Sequence, residues 1–171
     1  MEFPGGDPLP HLARYLHHMA ATGHWVLLCT ARVPGKVLLQ RLPELGVDLS
    51  HLVILDVITP PGEKSPDPEH LHYVSGPSLL ELLTLRSEKL VWKRRRERTR
   101  IASLDVNSFA RHNPPDVLEQ IVRYTLGRIQ PYTVVDYFVD PDRPLPPELM
   151  AAMQRLCESQ LSLEAAVQTE P

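Results

Sequence analysis

The segment Arg100-Ile101-Ala102-Ser103-Leu104-Asp105 ends a short apolar run on a carboxylate. A buried strand that delivers an acid to the binding edge of a sheet in this way can hold a magnesium ion. Asp56 ends the run Leu52-Val53-Ile54-Leu55 in the same manner. A turn or helix-capping carboxylate fits both patterns equally, for Asp105 toward Asn107-Ser108. Metal-nucleotide chemistry needs a second half, a loop of backbone N–H groups and a lysine that cradle phosphate. Thr30-Ala31-Arg32-Val33-Pro34-Gly35-Lys36-Val37 follows an apolar run and opens a helical one, with Gly35 and Lys36 in the register of such a loop. Its first glycine is replaced by Thr30, its metal-binding hydroxyl by Val37, and Pro34 removes one N–H from the cradle. Lys36 would attract an anion at a helix start, or stand as a solvated lysine on the first turn.

The strongest charge feature is the run Lys89, Lys93, Arg94, Arg95, Arg96, Arg98 and Arg100. Cations near a helix C-terminus complement its dipole and their stems shield apolar surface. So many within about three helical turns exceed that need. The run is therefore a candidate surface for nucleic acid or an acidic protein, with Trp92 stacking on a base or packing beneath the helix. The histidines do not suggest a metal. His17 and His18 are adjacent on a helix and point apart, while His70 and His72 share a strand face without a nearby Cys ligand. Ser75 and Ser78 read as helix caps, with Glu81 completing a capping box, rather than as nucleophiles. Local sequence suggests no Ser-His-Asp or Cys-His grouping.

The elements that must position these groups alternate between helical and strand periods. Leu9, Leu12, Leu16 and Met19 recur at helical spacing and Gly23 follows them. Trp25 to Cys29 and Leu52 to Asp56 are continuous apolar runs, the pattern of parallel strands covered on both faces. Val37 to Leu45 forms a short helix stopped by Gly46. A Pro/Gly/charged loop from Thr59 to Glu69 is long for a connector and is expected to be mobile. Then come a brief strand Leu71 to Val74, a helix from Ser78 toward Thr99, and a strand from Ile101 to Val106. A helix Asp116 to Ile129, a strand Thr133 to Val139 and a helix from about Pro146 to Ser159 complete the order. The expectation is a three-layer α/β fold with a mostly parallel central sheet and helices on both faces. Residues 1–159 would form one domain and 160–171 a tail.

Two resemblances follow from these segments. Asp56-Val57-Ile58-Thr59-Pro60 resembles the phospho-acceptor strand and following proline of response-regulator receiver domains. A receiver also needs an acidic pair after its first strand and a lysine after its last. Here those places hold Cys29-Thr30-Ala31-Arg32 and Val139-Asp140-Pro141-Asp142, so its magnesium chemistry lacks partners. The longer stretch from Arg14 to Val139 is similar to the RecA/KaiC-type ATPase core, starting just after that family's phosphate loop. The helix Leu9 to Ala21 would follow the missing loop, with Gly5-Gly6-Asp7-Pro8 at most a remnant of it. Leu45-Gly46-Val47-Asp48, Val74-Ser75-Gly76-Pro77-Ser78 and Ile101 to Asp105 resemble the family's leucine-glycine turn, serine-proline-serine helix start and Walker B strand.

By this resemblance Asp105 matches the Walker B carboxylate. The Walker A lysine and hydroxyl have no counterpart, and Thr30-Ala31-Arg32 stands where active members place water-activating acids. The resemblance thus implies a degenerate P-loop domain without hydrolysis, a regulatory or interaction module with no cofactor. Its partner would be another protein or a second copy. The alternative is a residual NTPase that holds Mg-ATP with Lys36 and Asp105.

Composition agrees with a folded chain of ordinary size. The 171 residues are 43% hydrophobic and 23% charged, which suits a core rather than disorder. The 18 prolines fall mostly between periodic segments and read as connectors and helix starts. A net charge of -3 gives no global reason to expect nucleic acid. Cys29 and Cys157 show no pairing or metal-type spacing, so a cytoplasmic setting is the simplest expectation. No segment reads as a signal peptide or a membrane span.

Overall fold

A computed structural model describes residues 7–60, 62–74, 76, 80–129, 133–140, 143 and 145–157. Gly5, Gly6, Ser75, Ser78 and the tail from residue 158 onward lie outside the described residues. The order is α1 (Leu9–Ala21), β1 (His24–Thr30), α2 (Gly35–Glu44), β2 (Leu52–Asp56), β3 (Leu71–Tyr73) and α3 (Leu80–Lys93). It continues with β4 (Arg98–Leu104), α4 (Val106–Ala110), α5 (Pro115–Ile129), β5 (Val134–Tyr137) and α6 (Pro147–Leu156). The strands form one five-stranded sheet in the order β3-β2-β1-β4-β5, and every pairing is parallel.

Strand alternation sorts the core into two layers. Val26 and Leu28 of β1, Ile54 of β2, and Ala102 and Leu104 of β4 pack under α1 and α2. Trp25, Leu27 and Cys29 of β1, Val53 and Leu55 of β2, and Ile101 of β4 face α3 to α6. This is why β1 and β2 read as unbroken apolar runs: both faces of each strand are covered. The fold is three-layer α/β, as expected.

The chain steps from β1 outward to β2 and β3, then returns through α3 to place β4 on the other side of β1. The connections leaving β1 and β4 therefore run to opposite faces, α2 on one and α4–α5 on the other. That reversal opens a crevice at the carboxyl ends of β1 and β4, where sheets of this type bind ligands.

The main departures from the expected boundaries concern α3, β4 and β5. The helix predicted to run toward Thr99 stops at Lys93, and β4 begins at Arg98, paired with His24. A turn carries the chain over, with Arg94 N–H donating to Val91 O and Glu97 N–H to Arg94 O. Cross-strand bonding along the whole of β1 decides this, outweighing the helical propensity of the basic run. The strand expected to reach Val106 ends at Leu104, because Val106 opens the short helix α4. The last strand stops at Tyr137 rather than Val139.

Candidate functional site at the carboxyl edge of the sheet

The crevice between β1 and β4 is built from a buried polar cluster. Thr30, at the end of β1, is fully buried, and its hydroxyl donates to Val33 O at 2.8 Å. The bend this makes brings Arg32 back over the sheet edge. Arg32 Nη1 lies 3.0 Å from Asp140 Oδ2, and its Nε lies 3.8 Å from Asp105 Oδ2. Arg143 Nε lies 3.6 Å from the same Asp140 carboxylate. Asn107 fixes the far wall, with its Oδ1 accepting from Asp140 N–H at 2.8 Å and its amide donating to Arg143 O.

Asp105 is the centre of the cluster. It has no exposed surface, and Ser108 Oγ donates to its Oδ2 at 2.7 Å. Its backbone is left-handed, φ 63°, the one positive φ at a non-glycine among the described residues. Such a conformation costs about 1–2 kcal/mol for an L-residue and is concentrated at functional sites. Its other oxygen, Oδ1, is buried without a hydrogen-bond partner. An ionised buried carboxylate with an unused acceptor is costly unless paired, which gives the Arg32 guanidinium its role here.

The second strand-end acid is fully spent. Asp56 is completely buried, and its Oδ2 accepts from Gly35 N–H at 2.8 Å and from the Thr59 hydroxyl. Its Oδ1 accepts from Ile58 N–H at 2.7 Å and Thr59 N–H at 3.0 Å. Asp56 therefore ties the start of α2 to the turn after β2. Gly35 is explained by crowding: a Cβ there would collide with Leu71 Cδ1 and come within 3.1 Å of Asp56 Cβ. Lys36 is bonded to Glu63 across an exposed pair, which raises its pKa. Tyr73 lies close enough for its phenol to feel Lys36, Asp56 and Glu63, and its buried hydroxyl has no hydrogen-bond partner.

The structure thus gathers Asp105 with Arg32, Asp140, Asn107 and Ser108. It sets Gly35, Lys36 and Asp56 together beside β2. Sequence reading missed Arg32 and Asp140 as members of the site because they meet across 108 positions of chain. The only local signal was the acidic turn after the last strand.

The basic run is divided rather than helical. Lys89 and Lys93 are exposed on α3, and Arg94, Arg95 and Arg96 form the turn after it. Arg98 and Arg100 belong to β4. Arg94 covers the buried Trp25 ring at 4.8 Å and pairs with Glu97 at 3.0 Å. Arg98 donates to Thr22 O at 3.4 Å, and Arg100 pairs with Asp136 at 3.4 Å. Trp92 does not pack beneath the helix; it stands half-exposed with Arg95 over its ring at 4.8 Å.

His17 Nε2 lies 3.1 Å from Leu45 O, and His70 Nδ1 lies 2.9 Å from Asp67 Oδ2. No group of three metal-type ligands occurs among the described residues. Burial pushes the Cys29 thiol up to about 12, which makes it unreactive. Cys29 borders a mostly apolar cavity of about 70 Å³ between α3, α5 and the sheet, with Leu83, Thr84 and Ser87 from α3 and Ile121 and Thr125 from α5. No described helix is long and apolar enough to cross a membrane.

No family model matches the chain, and no curated protein matches it. It is similar in fold to a solved structure of an uncharacterised protein from Pyrococcus horikoshii, crystallised in complex with an unknown peptide. The TM-score is 0.63 at 13% identity, covering 92% of this chain and 74% of that one. The similarity defines the class, a three-layer α/β protein with a parallel sheet.

Proposed function

We propose that this chain is a non-catalytic interaction or regulatory module, a RecA/KaiC-like core that keeps its sheet and has lost phosphoryl transfer. One observation carries the reading: the groups that would engage a metal-nucleotide are bonded within the chain. The Gly35 N–H is held by Asp56, Lys36 by Glu63, and Asp105 by Ser108 with Arg32 beside it. An incoming phosphate would have to displace these contacts, and the buried ones are costly to leave unmade. Asp56, the other strand-end acid, already accepts four hydrogen bonds and has no oxygen left to activate water. The peptide bound to the similar archaeal protein supports a protein partner as the ligand class.

The residual NTPase reading keeps one supporting observation, the unpartnered Asp105 Oδ1 in a left-handed turn at the switch point. Thermal unfolding with magnesium and millimolar ATP or GTP separates the two. A ligand at 100 times its Kd stabilises the native state by about 2.7 kcal/mol. The expected result is no shift. A clear rise in Tm, with phosphate release that Asp105→Ala abolishes, would establish the NTPase instead.

A further inference from the structure

The outer side of the α3–α5 seam carries large apolar side chains that remain exposed. Leu85 is 55% exposed, Trp92 52% and Tyr124 45%. Leu85, Glu88 and Trp92 are spaced three and four residues apart, so they follow one stripe of α3. Glu88 pairs with Arg128 of α5 at 2.9 Å, which places that stripe along the border with α5. Tyr124 lies one turn before Arg128, whose guanidinium sits 5.7 Å from its ring. The three side chains therefore belong to one ridge. Leu, Trp, Tyr and Arg around an ion pair resemble the composition of a protein–protein contact centre, where aromatics and Arg are enriched.

The charge beside this ridge is mainly positive. Arg86, Lys89, Lys93 and Arg95 are exposed around the α3 stripe and the turn after it. Of the nearby acids, Glu88 is paired with Arg128 and Glu97 with Arg94, while exposed Glu81 stands one turn before Leu85. The field reaches β3, where Arg86 and Lys93 add to burial in lowering the His72 pKa.

We infer that the α3–α5 ridge is the docking surface for an acidic amphipathic segment of another protein. Its apolar side chains would cover Leu85, Trp92 and Tyr124, and its carboxylates would face Arg86, Lys89, Lys93 and Arg95. This rests on the interaction-module reading and gives that module's partner a chemistry. A second copy fits poorly, because a two-fold pairing through the ridge sets the same cations against each other. Nucleic acid fits poorly as well. Arg94, Arg98 and Arg100 are engaged within the chain, and exposed Leu85 offers nothing to a phosphate backbone.

The test is selection from a random peptide library displayed on phage against the full chain, followed by titration of the most enriched synthetic peptide. Enriched sequences should combine Leu or aromatic residues with Asp and Glu. Binding should shift Trp92 emission to the blue and weaken as salt is raised. Leu85→Glu and Lys89→Glu/Lys93→Glu should each weaken binding about tenfold or more, with melting curves like the parent because these side chains are exposed.

Peptides that bind the variants as tightly as the parent overturn the assignment. So does selection of basic sequences, or tighter binding of a single-stranded oligonucleotide. Dimerisation of the parent that Leu85→Glu abolishes would replace the partner with a second copy and equally overturn it. Failed peptide binding without a nucleotide-induced Tm shift removes this surface alone; a Tm shift with Mg-ATP together with phosphate release that Asp105→Ala abolishes removes the non-catalytic reading, whatever the peptide does.

Discussion

Asp105 combines three features that each cost stability: complete burial, a left-handed backbone and an unpartnered oxygen. Arg32 lies between it and Asp140, so one guanidinium serves two carboxylates. Asn tolerates the left-handed region better than most residues and removes one of the two negative charges. Asp105→Asn should therefore unfold in urea near the parent midpoint. Asp105→Ala keeps the strain, leaves the buried Ser108 hydroxyl without its acceptor and removes one of the two carboxylates beside Arg32, so it should cost about 2 kcal/mol. Equal losses for both variants would show that the Asp105 charge itself holds the crevice together. Asp105 was legible in the sequence because an apolar run ended on it. Its partners were not, since burial and a distant loop choose them.

Among the elements, α1 is tied to the β5 edge of the sheet by a polar link. The Tyr15 hydroxyl donates to Asp136 Oδ2 at 2.7 Å, and Arg100 of β4 pairs with the same carboxylate. The Tyr15 ring meets Phe138 edge-on at 5.1 Å. Tyr15→Phe keeps the ring contact and removes the donor, at a cost of about 2 kcal/mol for a bond to a charged group. In a double-mutant cycle with Asp136→Asn, that cost should be strongly non-additive, and simple additivity would place the stabilisation in ring packing alone. The same β4 shows the limit of reading elements locally. Leu52 to Asp56 was recognisable because both faces are buried, whereas Arg98-Thr99-Arg100 alternates charge and looks like the end of a helix. Pairing with β1, and from Arg100 onward with β5, makes it a strand.

For the molecule as a whole, stability should depend on pH through the basic flank. Burial, with Arg86 and Lys93, lowers the His72 pKa below its ordinary 6.5. The folded state then binds fewer protons there than the unfolded chain. The contribution is fully present above 6.5 and is lost as pH falls through 6.5 toward the folded value. Urea midpoints should drop on acidification below about pH 6.5, and His72→Gln should flatten part of that slope. Lys93→Glu should also flatten it by raising the His72 pKa. An unchanged slope in both variants would place the acid sensitivity elsewhere.

The position of β1 in the sheet has a consequence for the newly made chain. Its partner on one side, β2, follows closely in sequence, but the other, β4, lies beyond β3 and the whole of α3. During synthesis β1, β2 and α2 can assemble while the other edge of β1 still presents unpaired amide and carbonyl groups between apolar faces. That edge remains a template for pairing with other nascent chains until Arg98–Leu104 emerges from the ribosome. The interval spent making α3 is thus the window in which this protein most needs protection from aggregation.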